Sequence, residues 1–372
     1  MYRCPLCEGY SETSIRRRSL PVFNNVTYSS RYEAENAPVG EFLLATCQSC
    51  GFSYNCEFNS ELVTYGEGYD NQIESVIFRT YYDELIRRIA DYVSLDRGII
   101  YDIGCGTGEF LTALCAKHGN MSGIGIDPTC QPSETGNVRL INSTFENSVI
   151  DSRANLVIVR HVLEHLIDPL SFLKNLQKQI RDATVFVEVP DFDWILANGA
   201  IWDFTYEHCN YFTLSTLRLA LEKAGFEVSE QRNSFGNQYQ YAICSPGRPS
   251  TRSRDGADTT IGAVQTYATL EALRISDVRQ LAEGEEHFVL WGMSGKGVIL
   301  ASLLPKGSVQ GGVDMNTAKQ GRFAAASGVE IHPPEWLGGL VASTVAIMNP
   351  NYASEITALV KQLDANVQLI SI

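Results

Sequence analysis

The 372-residue chain has no apolar run approaching the roughly 18–20 residues that cross a bilayer, so no membrane-spanning helix is expected. It is also short of basic charge, with 29 Lys and Arg against 43 Asp and Glu for a formal net charge of -14. Such a surface repels phosphate backbones instead of releasing their counterions, which argues against nucleic acid as a partner. A phosphate-bearing small molecule would have to be met by local devices, either helix N-termini or a few Lys and Arg. The opening Met1-Tyr-Arg-Cys-Pro-Leu-Cys lacks a basic region followed by an apolar stretch, so a signal peptide is not expected and the cytoplasm is the expected location. There is no internal repeat and no low-complexity segment. The composition, 44% hydrophobic and 19% charged, is that of a globular protein long enough for two or three domains.

Ten cysteines in a reducing compartment are not expected to be disulfides, and their placement says more than their number. Four form two Cys-x-x-Cys pairs, Cys4 with Cys7 and Cys47 with Cys50. Each pair makes a tight turn, and two such turns facing one another give a tetrahedral site that suits Zn²⁺. Four protein ligands leave no open position, so such a zinc is structural. Residues 1–60 have few long apolar stretches, as in a segment that needs a staple. Cys56 reads as a small core residue.

The middle of the chain alternates strands with helices. From Glu74 to Val93 apolar residues recur at helical spacing. Strands are predicted at Gly98–Ile103, Met121–Ile126, Asn155–Val159 and Ala183–Val189, and helices at Glu109–Lys117, Pro169–Ile180 and Ser215–Ala224. The alternation predicts an α/β fold with a mostly parallel sheet covered on both faces. A Pro, Gly, Ser and Arg-rich stretch from Ser245 to Thr260 predicts a linker. A helix over Ile261–Glu283 and a second, smaller strand and helix alternation from Phe288 to Ile372 follow. The expected division is 1–65, 66–250 and 256–372.

The segment Ile99-Ile-Tyr-Asp-Ile-Gly-Cys-Gly-Thr-Gly-Glu-Phe is a strand ending in Asp102, then Gly104, Gly106 and Gly108, then a helix. Glycine there permits a tight turn and lets a ligand reach the backbone. Asp127 follows the next short strand, nineteen residues after Gly108, where an acidic side chain can accept hydrogen bonds from a ribose diol. A nicotinamide-binding turn would read Gly-x-Gly-x-x-Gly; here the pattern is Asp-x-Gly-x-Gly-x-Gly, which suits a cationic, phosphate-free ligand with an amino acid moiety. At these residues, and at Val159-Arg-His-Val-Leu-Glu-His-Leu-Ile-Asp-Pro, the chain resembles the class I S-adenosylmethionine-dependent methyltransferases. The resemblance implies a Rossmann-like core in which Gly104 and Gly106 line the methionine portion and Asp102 closes the strand beneath it. It also places Asp127 at the ribose, Pro128 and Phe145 around the adenine, and Arg160 and His161 on the floor. Glu164 and His165 read as helix residues that support the fold.

A narrower resemblance is to the three-domain sugar C-methyltransferases, which act on nucleotide-linked 4-keto-deoxysugars. They have an N-terminal zinc domain, a central methyltransferase domain and a C-terminal Rossmann-like domain. It is carried by Val289-Leu-Trp-Gly-Met-Ser-Gly-Lys-Gly, Val313-Asp-Met-Asn-Thr-Ala-Lys-Gln-Gly-Arg-Phe, Ile331-His-Pro-Pro-Glu and Met348-Asn-Pro-Asn-Tyr-Ala-Ser-Glu-Ile. It implies a substrate cleft between the central and C-terminal domains and a catalytic Glu-His dipeptide, here Glu207-His208. Methylation at carbon needs a base to remove a proton next to a carbonyl, together with help for the enolate. His208 is the natural base, since imidazole titrates near pH 6.5. Glu207 would orient its ring, and Tyr206 or Tyr211 would donate to the enolate oxygen. Lys296, at the second glycine-rich turn Gly292, Gly295 and Gly297, would face a diphosphate with Lys319 and Arg322. Two departures fall on the substrate side: Thr205 stands where these enzymes have Tyr, and Ser234-Phe-Gly-Asn-Gln, which contains Asn237, replaces His-Gly-Gly-Ser. An O- or N-methyltransferase on another secondary-metabolite precursor, and a non-catalytic binding protein that keeps the cofactor fold, are the alternatives. The oligomeric state is not specified by the sequence.

Overall fold

Five parallel strands form the centre of the molecule, and the Val and Ile content of the innermost, buried at every residue in Leu156–Arg160, is what a covered parallel sheet requires. Their order is Val138–Asn142, Met121–Asp127, Gly98–Ile103, Leu156–Arg160 and Thr184–Pro190. Tyr239–Pro246 joins this sheet antiparallel to Thr184–Pro190, and Phe226–Ser234 pairs with it as the edge. This computed structural model describes residues 2–64, 75–248, 256–285, 287–340 and 343–372. The expected boundaries at 65 and at 250–256 lie, but for Gly256, outside the described residues. The strand Gly98–Ile103 has the strand that follows it on one side and Leu156–Arg160 on the other. The chain therefore leaves in opposite directions at the carboxyl ends of these strands, and such a divergence opens a crevice.

Helix Val76–Ala90 begins where the Ser75 hydroxyl accepts the Phe78 N–H, and it buries Phe78, Tyr81, Leu85, Ile86 and Ile89. The helix expected from Glu74 thus starts two residues later, and Glu74 itself lies outside the described residues. Helix Leu214–Ala224 is closed at its start by reciprocal Thr213 and Thr216 hydrogen bonds and at its end by left-handed Gly225. The predicted linker is largely structured at its ends. Strand Tyr239–Pro246 enters it and helix Ala257–Gly284 leaves it. Glu164 and His165 lie in a short 3-10 turn, Leu163–His165, and not on an α-helix.

The N-terminal residues form an antiparallel sheet of Tyr2–Arg3, Tyr10–Pro21, Val39–Cys47 and Ser53–Asn55, completed by Asn210–Tyr211 from far along the chain. The C-terminal sheet is parallel, in the order Ile331–His332, Gly311–Val313, His287–Trp291, Ser343–Ile347 and Val367–Ser371. One face of the N-terminal sheet packs Phe52 and Tyr54 into the core that holds Val157, Val187 and Leu217. Ile15, Leu20 and Phe42 pack instead with Phe288 and Leu290 of the C-terminal sheet and with Val298 of the helix Gly295–Leu303. A segment expected to lack a core of its own thus wedges into two others. No helix among the described residues is long and apolar enough to cross a membrane.

Arg17 is the polar centre of this wedge. Its guanidinium, 6% exposed, pairs with Glu271 of helix Ala257–Gly284 at 2.6 Å and donates to the Ile201 carbonyl at 2.6 Å. It also lies 5.2 Å from the Phe204 ring centroid. Removing one partner of a buried ion pair leaves the other charge uncompensated, at a cost of about 3–5 kcal/mol. Arg17→Ala should lower the unfolding midpoint by a corresponding amount, and Arg17→Lys, which lacks the planar fork, should recover only part of it. Chemical denaturation followed by circular dichroism measures both.

Candidate functional site

Cys4, Cys7, Cys47 and Cys50 converge as the spacing predicted. Their sulfurs approach to 3.7 Å (Cys4 to Cys50), 3.5 Å (Cys7 to Cys47) and 3.4 Å (Cys7 to Cys50). A tetrahedral Zn²⁺ with bonds of about 2.3 Å separates its sulfurs by about 3.8 Å, so the cluster could hold the ion with little movement. The two turns are alike. Leu6 N–H donates to Cys4 Sγ and Ser49 N–H to Cys47 Sγ, each at 3.4 Å. Each turn closes with a left-handed residue, Glu8 in one and Gly51 in the other.

At the carboxyl ends of the central strands lies a cavity of about 1030 Å³. All of the residues expected around the cofactor line it: Asp102, Gly104, Gly106, Asp127, Pro128, Phe145, Arg160 and His161. Gly104 has φ +75°, and a Cβ there would fall 2.3 Å from Val162 Cγ2, so only glycine brings the turn this close to the next strand. Asp127 is held by the chain itself, accepting from Gly106 N at 2.9 Å, Thr129 N at 2.7 Å and Thr129 Oγ1 at 2.6 Å. A carboxylate has about four acceptor positions, which leaves one for a ligand hydroxyl. Burial raises Asp102 to about 7; Arg160 pulls it down and Asp127 adds to the rise.

The floor is a charge network in which Arg160 and His161, expected there, meet Glu188 and Glu164, which were not. Arg160 pairs with Glu188 at 2.8 Å and lies over the Phe110 ring, 4.3 Å from its centroid. His161, left-handed at φ 54°, reaches Glu188 Oε2 at 3.4 Å and Glu164 Oε1 at 3.3 Å. Burial opposes the charge on His161, but the hydrogen bonds and charges of Glu164 and Glu188 prevail and raise it to about 9. Burial likewise opposes the charge on Glu188, yet Arg160 and His161 hold it at about 2. Tyr81 hydrogen-bonds the same carboxylate. The signal was available, since Glu188 is a lone acid inside the buried strand Thr184–Pro190.

Glu207 and His208 reach the cavity, whereas Tyr206 and Tyr211 do not line it. Tyr206 is 1% exposed, and its hydroxyl accepts the Asn59 N–H at 2.9 Å. Tyr211 is buried and donates to the Thr205 carbonyl at 3.3 Å. Both tie the loop to its surroundings, which removes them as enolate donors. Glu207 accepts the Asn24 N–H at 3.1 Å. The His208 ring stands edge-on to His165, with centroids 4.8 Å apart. Burial first, and the neighbouring His165 second, push His208 down to about 3, well below the near-neutral titration expected of it. It is therefore an uncharged imidazole across the physiological range.

The C-terminal sheet supplies the opposite wall through Trp291, Gly292, Ser294, Gly295 and Lys296. Lys296 is engaged with Asp203 at 2.5 Å and lies 5.2 Å from the Trp194 ring centroid. Lys319 is 1% exposed and bonds Ser294 Oγ, so it is not a solvated surface residue. Arg322 donates to Thr27 Oγ1 and to the Thr27 carbonyl, each at 2.7 Å, outside the cavity. Asn237 occupies a left-handed turn and does not line the cavity; its neighbour Gln238 does, donating to Asn349 Oδ1 at 2.9 Å. The three residues expected to meet a diphosphate, Lys296, Lys319 and Arg322, thus join parts of the protein.

Residues 75–231 match the family model described as a methyltransferase domain. The chain therefore carries a methyltransferase domain and is an enzyme of the methyl-transferring class. Among solved structures it is similar to the SAH-bound form of a methyltransferase in calicheamicin biosynthesis (CalO1), at 17% identity and TM-score 0.36, covering 45% of this chain and 54% of that one. It is similar also to an 8-amino-8-demethyl-D-riboflavin dimethyltransferase (RosA) from Streptomyces davawensis, at 16% identity and TM-score 0.37, covering 45% and 54% of the two chains. A SAM-dependent methyltransferase from Aquifex aeolicus aligns at 15% identity and TM-score 0.34, covering 46% of this chain and all of that one. No curated protein sequence matches the chain.

Two outcomes follow from this geometry. Replacing Cys47 with Ser should lower the zinc content of the purified protein by one equivalent relative to the wild type and lower its unfolding midpoint, as read by plasma mass spectrometry and thermal melts; zinc content equal to that of the wild type would exclude the cluster as a site. Asp102 binds its proton more tightly in the folded chain (about 7) than at the ordinary 3.8, so the unfolded state holds fewer protons between those values. Stability without ligand should then fall as pH rises from 4 to 7 through this group. Asp102→Asn should flatten that slope, measured as unfolding midpoint against pH.

Proposed function

We propose that the protein moves the methyl group of S-adenosylmethionine to a small acceptor held between the central and C-terminal sheets. The observation that carries this reading is the continuity of one cavity, lined in turn by Gly104 and Gly106, by His208, and by Gly292 and Lys296. The cofactor end fits such a ligand. It offers the backbone of a glycine turn, an Asp127 oriented by its own neighbours, and a buried Asp102 whose charge awaits a cation. When bound, S-adenosylmethionine supplies an electrophilic methyl on a sulfonium. Asp102 and Asp127 hold the donor end, and the Arg160 and Glu188 pair keeps the floor rigid. His208, uncharged, presents a lone pair to the acceptor proton, and Glu164 stabilises the imidazolium that results.

In the finer form of this proposal the acceptor is a nucleotide-linked keto-deoxysugar methylated at carbon, with His208 taking the proton next to the carbonyl. The resemblance in the C-terminal sequence and the wall of Ser294, Gly295 and Lys296 support it. Domain limits of 1–65, 66–250 and 256–372, with zinc held by the four cysteines, belong to the same proposal, as does a cytoplasmic location. One observation favours a second reading. Among the described residues, the two Arg and Lys side chains that line the cavity, Arg160 and Lys296, are both paired with carboxylates. An acceptor without a diphosphate, methylated at oxygen or nitrogen, would leave those pairs intact.

Solvent deuterium separates the two. Incubated with a nucleotide-linked 4-keto sugar and no methyl donor, the enzyme should exchange the proton beside the carbonyl, and His208→Asn should not. Absence of exchange with the wild type, alongside methylation of a hydroxyl or amine, would establish the second reading. In either case His208→Asn should keep cofactor affinity within about twofold by calorimetry and reduce kcat by about 10²–10⁴.

A further inference from the structure

Glu164, His165 and His208 place three potential ligand atoms within 4.8 Å of one another at the cavity wall, about the only such grouping besides the cysteine cluster among the described residues. Two features distinguish the group from a chance meeting. Glu164 is 1% exposed, and although its Oε1 faces His161, its Oε2 has no hydrogen-bond donor. A buried carboxylate oxygen without a partner is a costly arrangement unless something binds it. His165 hydrogen-bonds the backbone of Glu207, which ties its ring to the loop that carries His208.

We propose that Glu164, His165 and His208 form a second metal site, which takes a zinc-type divalent cation and, when filled, withdraws the His208 lone pair from proton transfer. Two imidazoles and one carboxylate suit Zn²⁺, Co²⁺ or Ni²⁺, and they do not suit Mg²⁺ or Ca²⁺, which want oxygen ligands. A tetrahedral ion with bonds of about 2.0–2.2 Å needs its donors about 3.4 Å apart, so closing on the ion asks for side-chain movements of about 1 Å. The turn Leu163–His165 and the loop carrying His208 are linked by Asn210, which donates to the Leu163 carbonyl at 2.9 Å, so the ligands come from two tied segments. All three residues line the cavity. The site stands on geometry alone; its effect on turnover rests on the reading of His208 as base.

The test uses the full chain, freed of metal, equilibrated with Zn²⁺ alone and counted by plasma mass spectrometry after desalting. The wild type should hold one equivalent more than His208→Ala, His165→Gln or Glu164→Gln. Equal stoichiometry in all four overturns the site. Cobalt guards against misfolding: the thiolate charge-transfer band of the cysteine cluster should persist in each variant, while the weaker visible band of the nitrogen and oxygen site should be lost. Turnover of the wild type should fall at least tenfold when the second equivalent binds. A second equivalent without inhibition overturns the withdrawal of the base. S-adenosylmethionine binding, measured by calorimetry without added zinc, reports separately on the methyl-transfer assignment.

Discussion

The segment from Ile201 to Phe212 must be held from outside, and the architecture of the cavity follows from how this is done. Apart from one short 3-10 turn, the segment has only two residues in regular structure, Asn210 and Tyr211, and these pair with Ser53 and Tyr54 of the N-terminal sheet. Arg17 grips the carbonyl of Ile201 on one side. Tyr206 is fixed through its hydroxyl to the backbone of Asn59, and Asn210 reaches the carbonyls of Leu163 and Leu166. Buried polar contacts of this kind are costly when incomplete and specific when satisfied. They set one position for Glu207 and His208, in a loop that has no hydrogen-bonded ladder of its own to do so.

Charge inside the cavity follows the same economy. The protein as a whole is acidic, yet the floor is balanced by its own residues: Arg160 and His161 against Glu188 and Glu164. Lys296 is balanced by Asp203. Asp102 differs, since burial rather than an ion pair governs it and it holds its proton until about 7. Under the proposed function, a cationic ligand entering beside it would supply the missing countercharge, and selectivity for a positive donor end would arise from this imbalance.

Much of this was legible in the sequence, and the limits were physical. The strand Gly98–Ile103 and the helix Glu109–Lys117 appear with the predicted ends, because a buried β-branched run and a glycine turn fix both. The four cysteines were readable because ligand spacing is a local property. The hairpin of Phe226–Ser234 and Tyr239–Pro246 was not anticipated, although Gly236 and Asn237 mark its turn. Lys319 and Arg322 carry the charge a diphosphate wants, but whether a cation faces a ligand or a hydroxyl of its own chain depends on contacts far away in sequence. Tyr206 failed for the same reason, since its partner is Asn59. Residue type anticipated the residues that line the cavity along consecutive elements of one sheet, from Asp102 to His161. It was a poor guide to the acceptor end, where three segments meet.

The strand Asn210–Tyr211 belongs to the same sheet as the cysteine turns while lying two residues beyond His208. The first sixty residues are thus part of the cavity wall, to which they add Asn24 and Asn25, rather than an appendage to it. Any metal held by the cysteines and any molecule held beside His208 act on one hydrogen-bonded structure. If that structure opens as a unit, each ligand draws on the free energy of the other: a filled cavity binds the ion more tightly, and a metal-free chain binds the cavity's ligand more weakly by the same factor.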